Sequence, residues 1–220
     1  MKKLLLSLGF AVLVMGIAGN VSADSFTLDF EGIGNLSKIG NFYNGGAGTN
    51  YGVSFSDNAL ALIDADAGGT GNIGGLPSPD TAMFFLGGTA AIMNVEDGFD
   101  TGFSFFYSAV VDPGYVEIYD DLNGSGNRLA YMSLAVTPFN GSPDPTGVYS
   151  PFLPIFGMEF EGIAKSVVFG GVIDKIGFDN VTFGSSVPGG ATGSETPEPA
   201  TLFLLGSGLA GLAGFRKLKK

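Results

Sequence analysis

Apolar residues recur at every second position over short stretches, and glycine-rich joints separate those stretches. "SFTLDF" (Ser25 to Phe30) sets Phe26, Leu28 and Phe30 against Thr27 and Asp29, the alternation of a strand with one buried face. "YGVSFS" closes a glycine-rich loop with Val53 and Phe55 on one face. The same pattern predicts strands over residues 59–63, 82–86, 90–95, 101–108, 115–119, 128–135, 165–169 and 173–183. "YVEIYDDLNGSGNRLAYMSLAV" holds two alternating runs around Asn123-Gly124-Ser125-Gly126, whose residue types accept the positive φ of a tight reversal. It predicts a β-hairpin. In "KIGFDNVTF" the apolar phase passes from Ile176 and Phe178 to Val181 and Phe183, so one extra residue at Asp179-Asn180 predicts a β-bulge or a break between two strands. "TPFNGSPDPTGVYSPFLPIF" (Thr137 to Phe156) contains five prolines and predicts a long loop.

About ten strands with no interleaved helix define an all-β fold, an antiparallel β-sandwich of jelly-roll-like type. Its first and last strands are expected to lie side by side, since domain termini commonly meet.

The two ends break this pattern. Lys2 and Lys3 precede an apolar run from Leu4 to Ala18, and Val21-Ser22-Ala23 is a small-x-small site. This predicts a signal peptide over 1–23, helical in its apolar part, cut between Ala23 and Asp24 by signal peptidase after Sec-type export. A permanent membrane anchor is the alternative. The sandwich is expected over 24–184 and a flexible linker over 185–196, where "SSVPGGATGSE" lacks core-forming residues. From Ala200 to Phe215 no charge occurs, and sixteen residues span about 24 Å as a helix. That is short of a ~30 Å hydrocarbon layer, a gap that bilayer thinning and snorkelling basic chains can close. Arg216, Lys217, Lys219 and Lys220 would hold this C-terminal transmembrane helix with its end in the cytoplasm.

Charge and composition then remove whole classes of chemistry. Between Asp24 and Glu198 lie all 21 acidic residues but only Lys38, Arg128, Lys165 and Lys175 of the ten basic ones, a formal charge of −17. Such a surface excludes nucleic acid as a partner and admits cations. The chain has no cysteine and no histidine, which excludes disulfides, thiol nucleophiles, Ser-His-Asp triads and His/Cys zinc sites together. No enzymatic activity is expected. The surviving catalytic alternative is a glycosidase-like carboxylate pair drawn from Glu96, Glu117, Glu159 and Glu161.

Oxygen ligands suit Ca²⁺, and three places offer them. "DDLNGSG" presents Asp121, Asn123 and Ser125 at alternate positions, without the closing acid of a calcium loop. It reads also as a plain turn. "DADAGGTGN" offers Asp64 and Asp66, again without a closing acid. If the first and last strands adjoin, Asp29, Glu31 and Asp179 converge at one sheet edge, where the bulge would aim a carboxylate. This is the structural calcium site the sequence proposes, against the reading that the three residues merely face outward or cap a turn. Tyr43, Tyr51, Phe139, Tyr149 and Phe152 fall in expected loops, where rings can stack on sugars or fold back onto the sandwich.

One stretch carries a resemblance. "TPEPATLFLLGSGLAGLAGFRKLKK" places Pro197, Glu198 and Pro199 before the apolar run and the basic end, and prolines on both sides of Glu198 fix an extended segment suited to a protease cleft. In this three-part order it resembles the PEP-CTERM sorting signal of Gram-negative bacteria, expected here over 197–220. The resemblance implies that Pro197-Glu198-Pro199 is recognised by the membrane protease exosortase. It also implies that the tail is removed or exchanged after a transient inner-membrane stage, and that the mature protein reaches the cell surface or the exopolysaccharide matrix. The "FDNVTF" ending also resembles, more loosely, glycine-rich sandwich domains found ahead of such tails. The expected function is that of a non-catalytic surface or matrix protein with a structural, adhesive or glycan-binding role. The alternatives are a secreted glycan-active hydrolase and a permanently anchored surface protein.

Overall fold

In the computed structural model, residues 25–100, 102–137, 139 and 147–189 are described. The expected signal peptide over 1–23 with its cut at Ala23 and Asp24, the end of the linker, and the sorting tail over 197–220 lie outside them.

The alternating stretches form eleven strands. These are β1 (Phe26–Leu28), β2 (Val53–Phe55), β3 (Ala59–Ile63), β4 (Thr81–Phe85), β5 (Ala90–Phe99) and β6 (Phe103–Ser108), then β7 (Gly114–Tyr119), β8 (Arg128–Leu134), β9 (Leu153–Met158), β10 (Ala164–Gly170) and β11 (Gly177–Phe183). They assemble into two antiparallel sheets. Sheet A runs β3-β4-β11-β6-β9, with β1 also paired to β11; sheet B runs β2-β5-β10-β7-β8. The pairing from β4 onward is nested: β4 with β11, β5 with β10, β6 with β9 and β7 with β8.

The inward faces of both sheets share one core. Its contact across the gap is aromatic. Phe169 of β10 lies 6.1 Å from both Phe103 and Phe105 of β6 and 4.9 Å from Phe178 of β11, measured between ring centroids. All four rings are fully buried, and each is worth about 1.5–3 kcal/mol in transfer from water.

Several expectations appear in the geometry. β1 pairs with β11 in the register Phe26 to Phe183, so chain entry and exit adjoin. On β11, Asp179 pairs with Phe106 while Thr182 pairs with Ser104, which leaves one extra residue on β11. Asn180 takes up that residue at φ 46°, in the left-handed region that Asn tolerates better than most side chains. The expected bulge is therefore present. The β7–β8 hairpin turns through Asn123, Gly124 and Gly126, all at positive φ.

One expectation is corrected. The proline-rich segment is not loop throughout: Leu153–Met158 is β9, paired with β6, and Pro154 sits opposite Phe106. β9 ends the order of sheet A, where a residue without an N–H can face solvent. At the start of the expected linker the chain still bonds to the sheet. Gly184 N–H donates to Gly102 O (2.8 Å), Ser104 Oγ to Ser185 O (2.8 Å) and Gly189 N–H to Thr182 Oγ1 (2.9 Å), so residues up to Gly189 follow the sheet.

Phe169→Ala is expected to destabilise the protein by about 3–5 kcal/mol, seen as a lower urea midpoint. A change below about 1 kcal/mol would show that the two sheets are held by something other than this ring cluster.

Candidate functional site

Two features on sheet A bring together residues that are distant in sequence: a carboxylate pair around residues 78–81, and a cleft on the sheet's outer face. The first supports the second.

The extra residue on β11 places Asp179 beside the turn that enters β4. Asp179 is fully buried; its Oδ2 accepts from Ser78 N–H (3.1 Å) and Ser78 Oγ (2.7 Å), and its Oδ1 accepts from Asn180 N–H (2.6 Å). Glu31, in the turn after β1, holds the same segment. Its Oε1 accepts from the N–H groups of Asp80 (2.9 Å) and Thr81 (2.8 Å), and its Oε2 from Thr81 Oγ1 (3.0 Å). Burial pushes the Asp179 carboxyl up to about 7, with the charge of Glu31 adding to the rise and the Ser78 and Asn180 donors opposing it.

Asp29 is exposed and turned to a different task. Its Oδ1 accepts from Glu31 N–H (3.2 Å) and from the Tyr43 hydroxyl (3.4 Å), while that hydroxyl accepts from Phe30 N–H (2.8 Å). Burial, then the neighbouring Asp29 charge, raise the Tyr43 phenol above its ordinary range. Asp29, Glu31 and Asp179, proposed from sequence as a calcium site, lie near the place where β1 adjoins β11. Yet their oxygens accept from protein N–H and hydroxyl groups, and among the described residues no group of three or more acidic side chains is placed to hold a metal ion. The geometry makes Glu31 and Asp179 clamps on a turn.

The other calcium candidates are turns as well. Asp121 Oδ1 caps Leu122 N–H (2.8 Å), Asn123 exchanges two hydrogen bonds with Asn94, and Ser166 Oγ accepts from Gly124 N–H (2.9 Å). The hairpin turn is thereby pinned to β5 and β10. Asp64 caps a short 3-10 turn by accepting from Asp66 N–H (3.3 Å).

The clamped turn ends the 64–80 loop, which folds over the outer face of β3 and β4. Here lies a cleft of about 460 Å³, within the ~300–1,000 Å³ range of small-ligand pockets. Leu62, Ala82 and Phe84 form its floor, and Thr70, Asn72, Tyr149, Asp174 and Lys175 bring polar groups to it. Two loops meet at its rim. Val148 N–H donates to Asn72 Oδ1 (2.9 Å), Tyr149 N–H to Asn72 O (2.9 Å) and Gly74 N–H to Tyr149 O (3.2 Å). An apolar floor with hydroxyl, amide, carboxylate and ammonium groups around it suits a polyhydroxylated ligand.

Of the loop aromatics proposed from sequence, the structure brings only Tyr149 to this cleft. Tyr43 and Phe152 are buried, Tyr51 stacks on Phe26 (4.3 Å), and Phe139 is exposed elsewhere. The cleft floor escaped the sequence reading, although "TAMFF" carried a signal for it. β4 is buried at all five positions, and a strand apolar on both faces must be covered on both. The carboxylates of the hydrolase alternative are scattered. Glu117 bonds Arg128 (2.6 Å) and Tyr119 (2.9 Å), Glu96 lines a separate polar hollow with Asp97 and Tyr51, and Glu159 and Glu161 are exposed near the β9–β10 connection.

Fold and site thus define an acidic two-sheet β domain with a mixed-polarity cleft on one outer face. Residues 195–217 match the family model described as the PEP-CTERM protein-sorting motif. The match contains Pro197, Glu198 and Pro199, the apolar run, Arg216 and Lys217, and stops before Lys219 and Lys220. This motif implies exosortase-dependent export and sorting to the cell surface, with exosortase as the processing partner. Comparisons with curated proteins and with solved structures give no match. Among the described residues no helix is long and apolar enough to cross a membrane.

Because the folded state raises the Asp179 pKa from 3.8 to about 7, native protein binds the extra proton between those values. The contribution of this group to stability is therefore greatest below pH 3.8 and falls as pH rises through about 7. Measured against Asp179→Asn, wild-type protein is expected to lose several degrees of thermal midpoint between pH 5 and pH 8; parallel curves would contradict this. EDTA is expected to leave the midpoint unchanged. A fall of several degrees would show that the carboxylates hold a cation after all.

Proposed function

We propose that this protein is a non-catalytic component of the cell surface or extracellular matrix whose sandwich domain binds glycan through the cleft on sheet A. The observation that carries the reading is the conjunction of the sorting motif at 195–217 with this cleft, where Tyr149 stands beside Asn72, Asp174 and Lys175. The nested pairing of β4 to β11 supports the jelly-roll description of the domain, an architecture shared with lectin domains. The N-terminal features imply that Sec and signal peptidase act first, with exosortase cutting the tail from a transient membrane intermediate. Exopolysaccharide is the partner at the destination, and the matrix of a biofilm is its natural setting.

Function as a glycan hydrolase is the second reading. It needs two carboxylates flanking one bond, about 5–9.5 Å apart. The bonding of Glu117 to Arg128 and Tyr119 and the exposure of Glu159 and Glu161 favour the binding reading over it.

Incubating the purified protein with exopolysaccharide from the producing cells separates the two. Retention on the polymer without new reducing ends is expected, and Tyr149→Ala should weaken retention through the cleft about tenfold. Absence of retention overturns glycan binding, and chain shortening that disappears with a single Glu substitution establishes hydrolysis instead.

A further inference from the structure

Sheet B carries an aromatic surface on the side of the molecule away from the cleft. On β7 and β8 the outward positions include Tyr115, Glu117, Tyr119 and Tyr131, while Val116, Ile118 and Leu134 enter the core. Tyr115 pairs with Gly170 of β10. A Cβ at position 170 would stand 2.1 Å from Tyr115 Cζ and 2.4 Å from both Cε atoms. These distances place it over the face of the ring, so Tyr115 lies flat on the glycine backbone. Any side chain at 170 would lift the ring off the sheet.

Tyr131 continues the surface. Its ring is nearly parallel to Tyr115, at 19° with centroids 6.2 Å apart, and it remains 54% exposed. The polar rim is fixed as well. Arg128 bonds Glu117 Oε1 (2.6 Å) with its guanidinium 5.2 Å from the Tyr131 centroid, and the Tyr119 hydroxyl donates to Glu117 Oε2 (2.9 Å). One ring held flat on glycine, a second nearly parallel to it and exposed, and oriented polar groups at the border fit the C–H face of a sugar ring and its surrounding hydroxyls.

We propose that Tyr115 and Tyr131 form a second glycan-binding surface, so that one domain grips two polysaccharide chains from opposite sides and cross-links them. This rests on the glycan reading of the sheet A cleft. The occupant is a polysaccharide without acidic groups. A formal charge of −17 between Asp24 and Glu198 repels polyanions, and the cation here, Arg128, is already bound to Glu117. Two weak contacts on opposite faces give network strength through multivalency without either being tight.

The test uses exopolysaccharide from the producing cells, separated by anion exchange into acidic and non-acidic fractions, each coupled to beads. Wild-type protein is expected to be retained on the non-acidic beads and to aggregate them. Tyr131→Ser, a change at an exposed ring, should retain binding within about threefold but abolish aggregation, whereas Tyr149→Ala in the cleft should abolish aggregation and weaken retention about tenfold. The double variant should lose retention as well. Unchanged aggregation by Tyr131→Ser overturns the second surface. Retention of wild-type protein without aggregation overturns cross-linking while sparing the cleft, and preference for the acidic beads overturns the assigned chemistry. Absence of wild-type retention on both bead types overturns the glycan reading itself.

Discussion

The contact of Phe169 with Phe103, Phe105 and Phe178 is the interaction on which the domain rests. Without cysteine, no covalent staple can close the sandwich, and its acidic residues add mutual repulsion to the cost of folding. Inter-sheet packing must exceed both. Because these rings lie in the gap between the sheets, the outer faces are free for other work. Sheet A covers part of its outer face with loops and leaves a cleft; sheet B lays Tyr115 flat on Gly170 and leaves a surface.

A second constraint follows from one residue of register. The extra residue at Asn180 lets β11 bury Phe178 and Val181 on the core side while Asp179 meets the turn at Ser78. Asp179 and Glu31 then hold the end of the 64–80 loop, whose Thr70, Asn72 and Ile73 line the cleft. A buried carboxylate is an expensive anchor, and its raised pKa reflects that cost. The same β11 pairs with β1, so the chain enters and leaves the sandwich on adjacent strands. Both ends that export and sorting would cut therefore leave the domain on adjacent strands, and removing them leaves the strands and core in place.

Much of this was legible from alternation. Strand positions and the bulge follow from period-two patterning and its single phase error, the Asn123–Gly126 reversal from residues that accept positive φ, and the β1–β11 neighbourhood from the tendency of domain termini to meet. β9 was hidden because Pro154 argues against a ladder, and only an edge position removes that objection. For Asp29, Glu31 and Asp179 the sequence supplies residue types and a strand neighbourhood, whereas only coordinates show the backbone N–H groups already bonded to Glu31 and Asp179. The cleft was the least visible feature. Its floor reads as ordinary core in "TAMFF", and its polar lining comes from three separate loops with no shared motif, Thr70 and Asn72 from one, Tyr149 from a second and Lys175 from a third. The sorting signal behaves oppositely, since it is read as a linear segment and its meaning is complete in the sequence.

We propose that this sandwich is delivered to the surface by cutting a tail recognised at Pro197-Glu198-Pro199. Intact-mass measurement of the protein recovered from exosortase-positive cells tests it most directly. The expected mass corresponds to a chain that begins at Asp24 and lacks the apolar and basic residues from Ala200 to Lys220, with the tail retained when exosortase is deleted. A mature chain that still ends at Lys220 in exosortase-positive cells would contradict the claim.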